Sequence, residues 1–206
     1  MLRAKILPRL PVLMLIGLLT SSFPASGGSA RMRPPSQSPA KLIENESTES
    51  PADPLKVISI TADGKPVKFN EKFAAKEDWL RGLTLELKNI SEKEITYIHC
   101  DLDFPETAST GQMMAYQLTM GLWPGIDNKS RTPFSLTPGS EVDIAFDDKR
   151  YADVARFINT RQPITSINRV TLRISFIIFA DGTGYGGGGT LFRQDSNNPR
   201  RFTPVH

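Results

Sequence analysis

Tyr97-Ile98-His99-Cys100-Asp101-Leu102-Asp103-Phe104 is the stretch on which the fold class turns. Ile98, Cys100, Leu102 and Phe104 are apolar and alternate with Tyr97, His99, Asp101 and Asp103, each of which carries a polar group. Successive side chains of a β-strand point to opposite faces, so this alternation describes a strand with one face on a core. The other face is expected to be wet, as antiparallel sheets allow. Pro105 ends the run, because proline has no N–H to give to a ladder.

The same rhythm recurs on both sides. Upstream it appears as Ile58 and Ile60, then as Leu83, Leu85 and Leu87. Downstream it appears weakly from Met113 to Met120, then in Val142, Ile144 and Phe146. It is longest in Val170, Leu172, Ile174, Phe176 and Ile178, and Thr190 to Arg193 closes the series. Asp63-Gly64, Asn89 to Lys93 and Leu136-Thr137-Pro138-Gly139 carry the turn residues between runs. One segment, 147–160, breaks the period: Tyr151, Val154, Phe157 and Ile158 have helical spacing, with Asp147 or Asp148 as N-cap. The pattern predicts a mainly β chain, an immunoglobulin-like antiparallel β-sandwich of about seven strands with one short helix. A single cysteine rules out the inter-sheet disulfide of antibody domains.

The charge of the chain sits at its start. Of the formal net charge of +3, all is accounted for by Arg3, Lys5 and Arg9. The rest of the chain is balanced, so a nucleic-acid partner has no electrostatic basis. Those three cations precede the apolar run Leu10-Pro11-Val12-Leu13-Met14-Leu15-Ile16-Gly17-Leu18-Leu19-Thr20 and then small residues up to Ala30. That order is a secretory signal peptide over residues 1–30, cleaved after Gly27 or Ala30. The expected product is secreted or periplasmic and keeps no transmembrane anchor. Residues 31–54 are rich in Pro, Ser and Glu and read as a disordered leader. Residues 55–206 form the β-sandwich domain.

Two motifs carry one resemblance and a C-terminal stretch carries another. Leu83-Thr84-Leu85-Glu86-Leu87-Lys88-Asn89-Ile90-Ser91, followed by a strand from Ile95, is similar to the strand, Asn, turn, strand unit of bacterial extracellular immunoglobulin-like domains. Leu136-Thr137-Pro138-Gly139-Ser140-Glu141-Val142 resembles the Leu-x-Pro-Gly lead into a later strand of the same domains. Phe179-Ala180-Asp181-Gly182-Thr183-Gly184-Tyr185, with the glycines that follow and Arg193 to Pro199, resembles the C-terminal part of uncharacterised secreted bacterial proteins. The resemblance implies the sandwich and export. It implies no activity and transfers no catalytic residue.

Candidate chemistry is sparse. His99, Asp101 and Asp103 share one strand face, but alternate side chains lie about 7 Å apart, so a flat strand does not gather them on one ion. A metal-dependent hydrolase built on them is the least favoured reading. Cys100 adjoins His99 but points to the opposite face, into the core, where a thiol is inert. No Gly-x-Ser-x-Gly elbow accompanies the only internal histidine. The chain therefore reads as a non-enzyme, with no catalytic residues, no metal and no cofactor. Asp181 to Gly189 reads as a long glycine-rich hairpin connection, offering too few carboxylates for calcium. Tyr97, Tyr116, Trp79, Trp123 and Tyr185 lie outside the clearest core positions. Tyr97, His99, Trp123, Asp181 and Tyr185 are the candidate binding residues, for an unknown protein or glycan of the envelope or extracellular space. A structural subunit of an envelope assembly is the alternative. Asn45, Asn89 and Asn128 each begin an Asn-x-Ser sequon.

Overall fold

Twelve strands and one α-helix succeed one another along the described residues of the computed structural model, which are 39–47, 52–126, 133–161 and 167–205. They are β1 (Lys41–Asn45), β2 (Leu55–Ala62), β3 (Lys65–Pro66), β4 (Lys72–Phe73), β5 (Thr84–Asn89), β6 (Ile95–Phe104) and β7 (Met114–Gly121). Then come β8 (Glu141–Ala145), α1 (Asp148–Arg161), β9 (Arg169–Phe179), β10 (Thr183–Gly186), β11 (Thr190–Asp195) and β12 (Asn198–Pro204). The expected signal peptide and the Asn128 sequon lie outside the described residues.

The strands form two packed sheets. The smaller runs β3-β2-β5-β8 and is antiparallel throughout. The larger is organised on β9, the longest strand. One edge of β9 pairs with β6, and β6 with β7. Its other edge is shared: the first half pairs with β1 and the second half with β10, followed by β11 and β12. Leu85 and Leu87 from the smaller sheet join Ile98, Cys100, Leu102 and Phe104 from β6 and Val170 and Leu172 from β9 in one buried cluster. Fully burying a side chain of this size contributes roughly 1.5–3 kcal/mol.

The alternating runs all become strands, and five more join them. β3 and β4 are only two residues each, too short to show a period. β10 and β12 are dominated by Gly, Pro and Arg, which hide one. β1 lies inside the segment expected to be a disordered leader. Lys41 and Ile43 are buried, and Leu42 to Asn45 pair with Arg169 to Leu172. That pairing is parallel, so the sandwich is not antiparallel throughout. In β2 the register slips between Val57 and Ser59. Ile58 is the extra residue of this bulge and faces solvent, whereas its expected partner in the alternation, Ile60, is buried.

The helix starts as its sequence prescribes. The Asp147 carboxylate accepts the Arg150 N–H at 2.8 Å, and Val154 and Ile158 turn inward. Phe157 meets the Tyr116 ring at 6.4 Å. A short 3-10 turn, Trp79–Gly82, lies near α1. Trp79 is fully buried rather than peripheral, edge-on to Phe73 at 5.3 Å and donating its indole N–H to the Ile167 carbonyl at 2.7 Å.

The two motifs that carry the resemblance meet in space. Asn89 is completely buried, and its amide donates to the carbonyls of Lys93 and Leu136, both at 2.8 Å. Its oxygen accepts the N–H of Ser91 at 3.0 Å and the Ser91 hydroxyl at 2.7 Å. The backbone N–H of Gly139 donates to the Asn89 carbonyl at 2.8 Å, and Gly139 takes the positive φ, 77°, that its turn needs. A sequon whose amide is consumed in this way offers no nitrogen to a glycan.

Candidate functional site

Three of the five candidate residues come together on the outer face of the larger sheet. The parity of β6 sends Tyr97, His99, Asp101 and Asp103 away from the smaller sheet. Trp123 arrives just after β7 and sets its ring against Tyr97 at 5.4 Å, nearly perpendicular. It also meets Phe176 at 5.4 Å and Phe202 at 5.4 Å, and Phe176 meets Phe192 at 5.2 Å. The Trp123 indole N–H donates to the Arg200 carbonyl at 3.1 Å, and Arg200 Nε donates to the Gly125 carbonyl at 3.0 Å. These contacts staple β12 to the segment after β7.

Glycines make room for the rings. A Cβ on Gly186 would stand 2.7 Å from the Phe192 ring, and one on Gly184 3.0 Å from that of Phe176. The segment 181–189 is therefore not the long connection expected from its composition. It is a strand, β10, between two tight turns, whose glycines form the bed of the aromatic cluster.

The polar half of the face is not solvated as expected. Asp101 is buried and sits at the centre of a network. His99 Nε2 lies 3.2 Å from its Oδ1 and Arg173 Nη2 3.3 Å from its Oδ2, which also accepts the Ser175 hydroxyl. Asp103 is only 1% exposed, because Arg173 and its neighbours lie against it. Arg173 Nη2 approaches Asp103 at 3.7 Å, and neither carboxylate oxygen has a hydrogen bond among the described residues. Burial raises the Asp103 carboxyl; Arg173 opposes the rise, and Asp101 and Glu46 add to it.

A testable consequence follows from the sign of that shift. A carboxyl raised in the folded state is free of penalty below its unfolded pKa and destabilises as pH rises through its folded pKa. Asp103→Val is expected to stabilise the protein by about 1 kcal/mol near pH 7, where an unsatisfied buried carboxylate is removed. Arg173 keeps Asp101 as a partner. The gain should shrink on acidification toward pH 3, as followed by urea titrations at both pH values. A variant no more stable at neutral pH than the parent would contradict this account.

The geometry is poor for catalysis by these groups. The Ser175 hydroxyl donates to the Asp101 carboxylate rather than to His99, so the three do not stand in the serine, histidine, aspartate order of a nucleophilic triad. Cys100 lies on the opposite, core side of β6, where burial first and Asp101 second push its thiol up to about 12. Among the described residues no three His, Cys, Asp or Glu side chains are placed to hold a metal ion.

Asp181 and Tyr185 lie elsewhere. Asp181 begins the turn between β9 and β10, where its carboxylate accepts the Thr183 N–H at 2.9 Å and pairs with the Lys93 ammonium at 2.7 Å. Burial would raise its carboxyl, but the hydrogen bonds from Lys93 and Thr183 prevail and lower it to about 2. The stabilisation from a depressed acid is present above the unfolded pKa and lost as pH falls through the folded one. An NMR titration should therefore find the Asp181 midpoint near 2, moving toward its ordinary 3.8 in Lys93→Met. An unmoved midpoint would show that Lys93 is not the cause.

Tyr185 faces inward from β10 and is buried. Its hydroxyl donates to the Asp53 carboxylate, and burial together with that neighbour pushes the phenol up to about 12. It lines a cavity between the sheets. No helix among the described residues is long and apolar enough to cross a membrane. Comparison with protein-family models, with curated proteins and with solved structures returns no significant match.

Proposed function

We propose that the chain is an exported, non-catalytic module of the immunoglobulin-like sandwich type that binds a partner in the cell envelope or outside the cell. The observation that supports this most directly is the half-exposed Trp123 cluster beside the network of His99, Asp101 and Arg173. Aromatic and arginine side chains on a rigid sheet are the usual anchors of a protein interface. A protein partner is favoured over a glycan. Sugar rings stack on open aromatic faces, whereas Trp123 is set against three other rings.

Affinity capture tests the reading. The exported chain is immobilised and presented with envelope extract and culture supernatant of its native host, and retained proteins and glycans are analysed by mass spectrometry. A competable protein that Trp123→Ala fails to retain, at unchanged far-ultraviolet circular dichroism, is expected. Retention of nothing, or equal retention by the variant, would count against this face. A captured glycan would replace the protein reading. Export itself is read from the N-terminus of the mature chain, expected at residue 28 or 31.

The alternative, a subunit joined to others by strand addition, is less well served at one edge of the larger sheet. β12 carries Pro199, Arg200, Arg201 and Pro204, and proline and charge are what blunt an edge.

A further inference from the structure

Lys41 of β1 is completely buried, alone among the described lysines. A lysine seldom leaves water without a carboxylate to meet it. Here the partner among the described residues is a neutral amide: Nζ donates to the Asn168 side-chain oxygen at 2.7 Å. The register sets Phe73 directly opposite Lys41, on the same face. Phe73 packs against Trp79, whose indole N–H holds the Ile167 carbonyl, next to Asn168. Amine and amide thus meet beside two aromatic rings, with the amine shut off from solvent.

The backbone of Asn168 is held on both sides. Its carbonyl accepts the Leu42 N–H at 2.8 Å, and its N–H donates to both carboxylate oxygens of Glu106, at 3.1 and 3.0 Å. Glu106 belongs to the 3-10 turn that follows β6, Pro105–Thr110. A hydrogen bond of 2.7 Å to a carbonyl oxygen leaves the carbonyl carbon about 3–4 Å from the nitrogen, close to a near-attack separation. A nucleophilic amine, an acyl group with ammonia to lose, and a carboxylate fixed on the same residue are therefore assembled.

We infer that Lys41 and Asn168 join in an intramolecular isopeptide bond. The neutral amine adds to Cγ of Asn168. The proton it releases passes through the Glu106 carboxylate to Nδ2, the Cγ–Nδ2 bond breaks, and ammonia leaves. Starting from the ammonium, the extra proton departs with the product as an ammonium ion. One amide replaces another, so the step needs no oxidant and no second substrate, and it happens once per chain. The bond ties β1 to the start of β9 across 127 positions, where the two strands share a register of only four residue pairs. It lies apart from the Trp123 cluster and stands or falls independently of the binding reading.

The test weighs the denatured chain, purified from its native host, by intact-mass spectrometry and then maps its proteolytic peptides. The mass is expected to fall short of the sequence by one ammonia, and a branched peptide is expected to contain both Lys41 and Asn168. Lys41→Met and Asn168→Ala should each restore the full mass and release two separate peptides. Glu106→Gln keeps an acceptor for the Asn168 N–H but cannot take up the proton, so it should fold, by circular dichroism, and remain unlinked. Full mass in the parent chain, with the Lys41 and Asn168 peptides recovered separately, would overturn the inference, whether or not any variant folds. So would an ammonia lost within a single unbranched peptide. Linking of Glu106→Gln to the parent's extent would overturn the role given to that carboxylate.

Discussion

Replacing Asn89 by alanine is expected to lower the stability of the fold by about 3 kcal/mol, more than any other substitution of one polar side chain considered for this molecule. The side chain is fully buried and makes four hydrogen bonds. Its removal takes one of two donors from the carbonyls of Lys93 and Leu136, which keep the Ser91 hydroxyl and the Ile95 N–H. It also leaves the Ser91 N–H without its acceptor, in a buried space that the amide no longer fills. Water can repair part of the loss at Lys93 and Ser91, which lie nearer the surface, and less of it at Leu136. Asn89→Asp is the informative companion. It keeps the shape but turns an acceptor toward two carbonyls, so it should be no better than alanine. Urea denaturation with an unchanged m-value is the measurement. A loss below about 1 kcal/mol would mean that the contact between the two turn motifs is incidental.

The second large effect is expected at Trp79. Trp79→Ala should cost about 4 kcal/mol, the range found when large aromatic side chains are removed from cores. The ring is wholly buried against Phe73 in the 3-10 turn near α1. Trp79→Phe separates the two contributions, since it keeps most of the ring volume and loses only the bond to the Ile167 carbonyl, worth about 1 kcal/mol. Near-equal losses in the two variants would mean that the hydrogen bond, not the packing, dominates. Thermal unfolding followed by circular dichroism distinguishes these outcomes.

Much of the fold is written in local parity. Leu83, Leu85 and Leu87, or Ile98, Cys100 and Leu102, announce a buried face because strand alternation needs no knowledge of the partner. The helix over residues 148–161 was legible for the same reason, with Asp147 marking its start. β1 was not. Lys41-Leu42-Ile43-Glu44-Asn45 has two adjacent apolar residues and no alternation, and its partner strand lies far along the chain, as the Thr171 to Glu44 contact across 127 positions shows. β10 was hidden because Gly184 and Gly186 owe their identity to Phe176 and Phe192 above them, not to their own neighbours.

The site follows the same division. That Tyr97 and His99 share a face was readable from spacing alone. That Trp123 joins them required the course of the chain after β7. The burial of Asp101 and Asp103 depends on Arg173 and Ser175, which only the register of β6 against β9 brings across. Parity tells which way a side chain points only up to the next bulge, as Phe176 shows by standing on the outer face beyond the register slip after Ile174, and it says nothing of what lies over a side chain.

Cys100 gives the molecule one more property. It is the sole thiol, it is wholly inaccessible in a strand paired on both sides, and its pKa of about 12 leaves almost no thiolate at neutral pH. A thiol reagent therefore finds nothing to attack until β6 comes away from β7 or β9. When the reagent reacts faster than the sheet recloses, the mass increment accumulates at the rate of opening; when it reacts more slowly, it reports the population of the open form. The chain thus carries its own reporter on the loss of its core, read with a thiol reagent and without an engineered label.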